Sequence, residues 1–255
     1  MAEDTFQLFT SLRYDDTLVG TPKTEFHHAG WNFENSSPWY MLGFHRDRML
    51  RAATHWGWED GIALINGDAG LQTLKSHMTD AVAAAGETGP LRVKVTLSRL
   101  GKLGYEISSV PEKTMENLFP LRLPPPGLSQ DGHDVPMTPL KPPLFEVILD
   151  RRRTARSEYT HFKTTNRVMY DDARKSAGVD GSAHKEVLIV HEHDGSIMEG
   201  SATTPYFWRG GRWVTPPVSA TYSTNPKAGS GGQDGTSRRW ALERCAGRSL
   251  CSKNR

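Results

Sequence analysis

The feature that most limits how this chain can fold is the proline-rich stretch "LRLPPPGLSQDGHDVPMTPLKPPL", which occupies residues 121–144. Each proline fixes its backbone φ angle and lacks an N–H donor, so the stretch is excluded from helix interiors and from central β-strands. It therefore predicts a linker between an N-terminal subdomain, residues 1–120, and a C-terminal subdomain, residues 145–255. A chain of 255 residues is long enough for two modest subdomains.

The segment before the linker mixes helical and strand patterns. Apolar residues recur at helical spacing in "FHRDRMLRAATHWGW" (44–58) and in "LQTLKSHMTDAVAAAG" (71–86), where Gly86 is a natural C-terminal stop. The heptapeptide "LRVKVTL" (91–97) alternates apolar with polar residues, which predicts a half-buried strand. The N-terminal subdomain is therefore predicted to be α+β.

The segment after the linker favours hairpins. The run "FEVILD" (145–150) predicts a strand, and residues 166–177 predict a helix closed by Gly178. Turns at Asp194-Gly195 and at Gly210-Gly211 each separate two strand-like runs, which predicts two β-hairpins. The whole chain is accordingly assigned to the α+β class with two parts.

Composition excludes several classes of function. The formal net charge is only +2, so the chain lacks the basic character of a nucleic-acid-binding or membrane-surface protein. Two cysteines, Cys245 and Cys251, are too few for a disulfide framework or a four-cysteine zinc site. The start "MAEDTFQLFTSLRYDD" lacks a signal-peptide pattern, and no apolar run is long enough to span a membrane. We therefore expect a cytoplasmic protein.

His191 and His193 are candidate metal ligands, because their side chains would share one face of a strand. The pair falls at a predicted hairpin turn, and the sequence offers no third ligand. A solvated turn is the better interpretation, so no metal is predicted.

Four short stretches could carry chemistry. They are "HRDRM" (45–49), "FKTTNR" (162–167), "MEGSATT" (198–204) and "GTSRR" (235–239). Each has an ordinary explanation when taken alone: a solvated lysine or arginine, a polar residue on a strand, or the N-cap of a helix.

Taken together, the four stretches supply what pyridoxal 5′-phosphate requires. A lysine at the end of an element, partly removed from water, suits a Schiff base with an aldehyde. A carboxylate keeps a pyridine nitrogen protonated, and an arginine grips a phosphate through parallel hydrogen bonds. A glycine-rich turn entering a helix adds N–H donors for the same phosphate.

The order and spacing of these stretches resemble the class IV aminotransferases, the fold-type IV pyridoxal-phosphate enzymes. The family's H-x-x-R-[LM]-x-x-[SA]-A helix is matched from His45 to Ala53, which implies that Arg48 binds the phosphate. K-x-x-N-R is matched from Lys163 to Arg167, which implies that Lys163 is the catalytic lysine. D-G-x-[IV]-x-E is matched from Asp194 to Glu199, which implies that Glu199 pairs with the pyridine nitrogen.

The resemblance implies further pocket residues. In "GTSRR" it places Thr236 and Ser237 as N–H donors to the phosphate, and Arg167 joins the cofactor-binding set. Thr10 and Arg13, in the stretch that resembles the family's early strand, are candidates for contacting substrate. A substrate carboxylate could also meet an arginine of "DRRRTAR" (150–156), where the choice among Arg152, Arg153 and Arg156 stays open.

The family implies an activity and an assembly. The nearest resemblance is to fungal 4-amino-4-deoxychorismate lyase-like proteins, which form 4-aminobenzoate and pyruvate in folate biosynthesis. The alternatives are an aminotransferase acting on branched-chain or D-amino acids, and a truncated homologue without catalysis. The resemblance also implies a homodimer with the cofactor in the cleft between two subdomains.

Two departures from the family pattern stand out. Thr204 stands where the family usually has asparagine, and Pro205 follows it. The chain stops in "RCAGRSLCSKNR" (244–255), where family members continue with strands that close the second subdomain. We therefore expect an incomplete C-terminal part.

Overall fold

The structure, a computed structural model, describes residues 6–121, 144–179, 181, 184–219, 221–225 and 232–233. The contacts divide the chain into two compact units. Among the described residues, unit 1 contains those up to Pro120 together with Phe162–Asn166. Unit 2 contains Leu121, the described residues up to His161, and those from Arg167 onward. The division into residues 1–120, a linker at 121–144 and residues 145–255 stays a prediction.

Unit 1 combines a three-stranded antiparallel sheet with helices. The predicted strand "LRVKVTL" is the central member of the sheet, with Leu8–Tyr14 on one side and Leu103–Ser109 on the other. The elements in chain order are β1 (Leu8–Tyr14), α1 (Trp31–Glu34), α2 (Leu42–His55), α3 (Glu59–Ile65), α4 (Gly67–Ala85), β2 (Leu91–Leu97), β3 (Leu103–Ser109) and α5 (Met115–Leu118). Two 3₁₀ helices, Asp16–Lys23 and His27–Ala29, lie between β1 and α1.

The two faces of β2 differ as its sequence predicts. Leu91, Val93, Val95 and Leu97 are completely buried, while the residues between them are exposed or half-buried. Thr10 of β1 pairs with Val95, so its side chain lies on the buried face of the sheet. A buried hydroxyl requires a hydrogen-bond partner, so the Thr10 hydroxyl must bond to another group of the protein.

The predicted helices of unit 1 are present as α2 and α4. Gly86 ends α4 in the left-handed conformation (φ 65°), as expected of a C-terminal glycine. Helix α2 follows Met41, a buried non-glycine residue with φ 52°. The Met41 N–H donates to Asn32 Oδ1 at 2.7 Å, and the Asn32 amide donates to Trp39 O at 3.0 Å. These bonds hold a strained backbone position and so set where α2 begins.

Unit 2 contains a mixed sheet with the order β4 (Glu146–Thr154), β5 (Lys185–His191), β6 (Ile197–Gly200). A separate two-stranded sheet is formed by β7 (Phe207–Arg209) and β8 (Arg212–Val214). β4 and β5 are parallel, whereas β5 and β6 form the antiparallel hairpin predicted at Asp194-Gly195. The second predicted hairpin, at Gly210-Gly211, is the β7–β8 pair. The elements are β4 (Glu146–Thr154), α6 (Glu158–His161), α7 (Val168–Ser176), β5 (Lys185–His191), β6 (Ile197–Gly200), β7 (Phe207–Arg209) and β8 (Arg212–Val214).

Helix α7 packs against the β4-β5-β6 sheet. Tyr170 and Ala173 of α7 form a buried cluster with Val187, Ile189 and Met198. The predicted range of 166–177 is close to the observed helix, and Gly178 follows it with φ 64°. Because the buried face of α7 meets β5 and β6, the helix is fixed relative to the residues that the β5–β6 hairpin carries.

Within the described residues, no helix combines the length and the apolar character that crossing a bilayer requires.

Candidate active site

The segment that carries Lys163 is attached to the edge of β1. The Phe9 N–H donates to Lys163 O at 3.1 Å, and the Thr165 N–H donates to Gln7 O at 2.8 Å. Leu8 and Thr164 face each other across an antiparallel bridge. The backbone at Lys163 therefore behaves as a short extra strand, which explains why Phe162–Asn166 belongs to unit 1.

The side chain of Lys163 is half-buried and lies against an aromatic ring. Its Nζ is 4.7 Å from the centroid of Phe9, a distance at which a cation is attracted to the face of a ring. Lys94 approaches the same ring at 5.4 Å, but its Nζ also pairs with Glu106 at 2.7 Å. Lys163 is therefore partly removed from water, and its role as the catalytic lysine stays a prediction.

The residue before the lysine anchors this segment in unit 1. Phe162 is buried, and its ring lies 5.0 Å from that of Trp56 and 4.7 Å from that of His55. Both partners stand at the C-terminal end of α2, the helix that carries Arg48. The anchor therefore ties the lysine segment to the helix with the predicted phosphate arginine.

Arg48 forms a three-membered hydrogen-bonded group with Thr10 and His45. Arg48 Nη2 donates to Thr10 Oγ1, and Thr10 Oγ1 lies 2.7 Å from His45 Nδ1. Arg48 Nη2 is also 3.5 Å from His45 Nδ1. His45 and Arg48 are one helical turn apart on α2, so both can reach the hydroxyl that β1 presents from its buried face.

The imidazole of His45 is held neutral. Burial lowers its pKa well below 6.5, and the positive charges of Arg48 and Lys163 lower that pKa further. Both cations thus act on the surroundings of His45 in unit 1, and the neutral histidine adds no third charge. Such a region suits an anionic group.

Glu199 of β6 is held through both carboxylate oxygens in unit 2. Tyr170 Oη donates to Oε1, and the Gln233 N–H donates to Oε2 at 3.1 Å. The backbone at Gly232 approaches β6 so closely that a Cβ there would lie 2.4 Å from Met198 O. Only glycine permits that approach, which brings the next N–H to the carboxylate.

Tyr170 is a site residue that sequence reasoning missed. Burial, followed by the charge of Glu199 and the hydrogen bond to it, raises the tyrosine pKa well above 10, so the phenol remains a donor. The Arg167 guanidinium lies 4.6 Å from the Tyr170 ring centroid, and its Nη2 donates to Ser201 O at 2.7 Å. The available signal was the buried face of the predicted helix, where a tyrosine needs a partner for its hydroxyl.

A second missed residue is Glu186, a buried carboxylate of β5. It accepts hydrogen bonds from Ser201 Oγ at 2.6 Å, Thr203 Oγ1 at 2.7 Å and the Val187 N–H at 2.8 Å. These bonds hold the turn that directly follows Glu199. Arg174 Nη1 donates to Ser201 Oγ at 3.1 Å, so the same turn is also fixed from α7.

The remaining predicted residues are distributed as follows. Arg13 pairs with Asp15 at 2.7 Å and donates to Pro111 O at 3.0 Å, while Thr10 contacts Arg48. Their roles toward substrate stay predictions. Thr236, Ser237 and the stretch 244–255 lie outside the described residues.

The arginines of "DRRRTAR" do not converge on one point. Arg152 pairs with Asp172 at 3.3 Å, Arg153 donates to His191 O at 3.3 Å, and Arg156 donates to Asn225 O at 2.6 Å. His191 is one of the two histidines considered as metal ligands, and its Nδ1 lies 2.9 Å from Asp194 Oδ1. In the part of the chain that the structure describes, no group of three or more potential ligands is arranged for a metal ion.

The chemical groups supplied by the two units are those that pyridoxal 5′-phosphate needs. Unit 1 supplies a half-buried amine and a guanidinium oriented by Thr10, which are the groups that an aldehyde and a phosphate need. Unit 2 supplies a carboxylate held by two donors, Tyr170 and Gln233, which is the group that a pyridine nitrogen needs.

Comparison with known proteins decides the family. The model of the amino-transferase class IV family matches residues 30–252. The chain belongs to the class IV aminotransferases. This family depends on pyridoxal 5′-phosphate, so that is the cofactor of the chain. Curated proteins give no match to the sequence.

Solved structures give the same fold at low sequence identity. A Mesorhizobium loti protein assigned as an amino-acid aminotransferase is 18% identical, with a TM-score of 0.55, over 93% of this chain and 83% of its own. A Legionella pneumophila protein assigned as a 4-amino-4-deoxychorismate lyase is 9% identical, with a TM-score of 0.57, over 96% and 70%. A Thermotoga maritima protein assigned as a branched-chain amino acid aminotransferase is 16% identical, with a TM-score of 0.56, over 98% and 67%. The chain therefore has the fold of the fold-type IV enzymes.

Proposed function

We propose that this class IV aminotransferase family member is a lyase that converts 4-amino-4-deoxychorismate to 4-aminobenzoate and pyruvate. The observation that carries the proposal is the fixed position of Lys163. Its backbone is bonded to β1, and its amine lies half-buried against Phe9 in the unit that also orients Arg48. A lysine placed in this way is suited to act as a nucleophile and as a base.

Each residue has a defined role in the proposal. Arg48 binds the phosphate of the cofactor, and Glu199 keeps its pyridine nitrogen protonated. When bound, the cofactor supplies an electron sink for the pair released when a C–H bond breaks. Glu199 can serve it as an anion because Tyr170 and Gln233 both donate to the carboxylate.

Lys163 moves the protons. It takes the proton from C4, the ring carbon that bears the amino group, and the ether bond at C3 then breaks. The products are an aromatic ring and enolpyruvate, which gains a proton to become pyruvate. Formation of the aromatic ring drives this elimination, and atoms balance without any second substrate.

The alternative within the family is transamination of a branched-chain or D-amino acid. It begins with the same proton removal by Lys163 but retains the amino group and needs a 2-oxo acid to complete the cycle. Support for the lyase comes from the resemblance to fungal lyase-like proteins and from the fold shared with the Legionella pneumophila protein. Support for the alternative comes from the fold shared with the Thermotoga maritima protein.

The deciding experiment omits the 2-oxo acid. The purified protein is given 4-amino-4-deoxychorismate alone, and 4-aminobenzoate and pyruvate are measured. Equal amounts of both products are expected. Amino transfer between amino acids and 2-oxo acids, with no 4-aminobenzoate, would support the aminotransferase. Absence of both activities from folded protein that binds pyridoxal phosphate would support a homologue without catalysis. We further propose that the enzyme is a cytoplasmic homodimer, which sedimentation of the purified protein and fractionation of cells would test.

A further inference from the structure

In the group formed by Arg48, Thr10 and His45, the chemistry of arginine determines which atom donates and which accepts each hydrogen bond. A guanidinium can only donate, so Thr10 Oγ1 is an acceptor toward Arg48 Nη2. The hydroxyl has one proton of its own, and within the described part of the chain its other hydrogen-bond partner is His45 Nδ1 at 2.7 Å. That proton therefore goes to Nδ1, which must be the unprotonated nitrogen of the ring.

Two observations support this direction. Arg48 Nη2, which is itself a donor, lies 3.5 Å from His45 Nδ1, so a proton on Nδ1 would point into a region already occupied by donors. Burial, together with the charges of Arg48 and Lys163, lowers the His45 pKa well below 6.5, which keeps the ring neutral. Among the residues that the structure describes, these two are the charged groups that lower the pKa of the imidazole, one from its own helix and one from the lysine segment. A neutral imidazole with an acceptor at Nδ1 carries its proton on Nε2.

We infer that His45 is a positioning residue for the anion site: by accepting the Thr10 hydroxyl proton at Nδ1, it turns the lone pairs of Oγ1 toward Arg48 and fixes the guanidinium. The inference rests on the proposed function only in naming the anion as the phosphate of the cofactor. The chain of donors and acceptors exists in the protein without it.

The geometry explains why these residue types are needed. Thr10 is buried on the inner face of β1. A hydroxyl there without an acceptor for its proton would destabilise the folded protein or would turn away from Arg48. A leucine at position 45 would remove that acceptor while keeping an apolar volume. A valine at position 10 would remove the hydroxyl but keep the branched shape that suits the strand.

The first test is a measurement on the protein without cofactor. The ¹⁵N chemical shifts of the histidine side chains, assigned by the loss of one signal in His45→Asn, report which ring nitrogen bears the proton. We expect His45 to show the Nε2–H form and to remain unchanged between pH 8 and pH 5.5. A proton on Nδ1, or titration of His45 near pH 6.5, would overturn the inference even if the variants used to measure anion affinity failed to fold.

The second test measures anion affinity with two probes, pyridoxal phosphate and inorganic phosphate. Thr10→Val and His45→Leu should each weaken binding about tenfold, the effect of losing about 1.4 kcal/mol of orientation at a charged hydrogen bond. The double variant should be no weaker than either single variant, since both break one chain. Thr10→Ser should restore affinity to within about threefold, which a purely structural role for the methyl group would not produce. His77→Asn, at an exposed histidine of α4, is the matched control.

The outcomes separate this inference from the proposed function. If the wild-type protein binds phosphate but not pyridoxal phosphate, the proposed function fails and the inference is judged on the phosphate data and the ¹⁵N shifts. If His45→Leu binds both probes as tightly as the wild type, the inference fails and the proposed function is unaffected.

Discussion

Lys163 contacts Phe9 through both its backbone and its side chain. Its carbonyl accepts the Phe9 N–H at 3.1 Å, and its Nζ lies 4.7 Å from the centroid of the Phe9 ring. One residue of β1 therefore fixes where the lysine stands and which way its amine extends. This relationship distinguishes Lys163 from an ordinary surface lysine.

Lys163 should be the residue that bonds covalently to the cofactor. Borohydride reduction of the holoprotein followed by peptide mapping should place the adduct on the peptide that contains Lys163. Lys163→Ala should lose the absorbance of the bound cofactor, although phosphate contacts at Arg48 remain. Lys94→Ala is a matched control, because Lys94 approaches the same ring but pairs with Glu106. An adduct on Lys94 in folded protein would refute the assignment.

Glu199→Gln should slow the reaction more than it weakens cofactor binding. A neutral amide cannot hold the pyridine nitrogen protonated, while the phosphate contacts are unchanged. We expect kcat to fall at least about a hundredfold, the scale typical of losing an acid–base partner. The dissociation constant of the cofactor should change by less than about tenfold. Unchanged turnover in steady-state assays would exclude this role for Glu199.

Tyr170→Phe should reduce both stability and activity, whereas Tyr105→Phe should do neither. Tyr170 donates to Glu199 from a fully buried position, so its removal leaves the carboxylate with one donor fewer. We expect a loss of about 1–3 kcal/mol in the free energy of unfolding, the usual effect of breaking a hydrogen bond to a charged group. The Tyr105 hydroxyl is buried and has no hydrogen-bond partner among the described residues. Denaturant titration of both variants makes the comparison, and equal losses would contradict it.

Glu186→Gln should destabilise the turn that follows Glu199. The carboxylate accepts from Ser201, Thr203 and Val187, and an amide would turn a donor toward at least one of these donors. We expect a loss of about 2 kcal/mol in the free energy of unfolding. Glu192→Gln, at an exposed position of the β5–β6 turn, should have little effect. A Glu186→Gln protein as stable as the wild type would show that the turn is held by other contacts.

Because of His45, the protein should become less stable as the pH is lowered below about 6.5. Burial and the neighbouring charges of Arg48 and Lys163 place the folded pKa well below the value of the unfolded chain. Between these two pKa values the unfolded state binds a proton that the folded state does not. The free energy of unfolding therefore falls as pH falls, by about 1.4 kcal/mol per pH unit, and this contribution is fully present above pH 6.5.

The contribution of His45 can be isolated by comparing variants. Denaturant titrations between pH 7.5 and 5.5 should give a shallower pH dependence for His45→Leu than for the wild type. Thr10→Val retains the buried imidazole and should retain most of the dependence. Parallel curves for His45→Leu and the wild type would show that His45 does not resist protonation in the folded state.

Elements with local sequence patterns could be predicted from the amino-acid sequence alone. The alternation in residues 91–97 identified β2, the helical spacing and Gly86 identified α4, and the Asp194-Gly195 turn identified the β5–β6 hairpin. The order of short motifs also identified the family, because each motif lies within a few residues of chain. In these cases the pattern is a period of two or 3.6 residues, or a turn that needs glycine, and it can be recognised within one short continuous segment.

Contacts between residues that are distant along the chain could not be predicted without the folded structure. No local pattern links Lys163 to Phe9, because the bond is formed by a segment that joins β1 after more than a hundred intervening residues. The same is true of Tyr170 with Glu199 and of Thr10 with His45, each a hydrogen-bonded pair from different elements in which at least one polar group is buried. A buried donor must find an acceptor, but which acceptor it finds depends on how the strands and helices pack, and packing is a property of the whole folded unit.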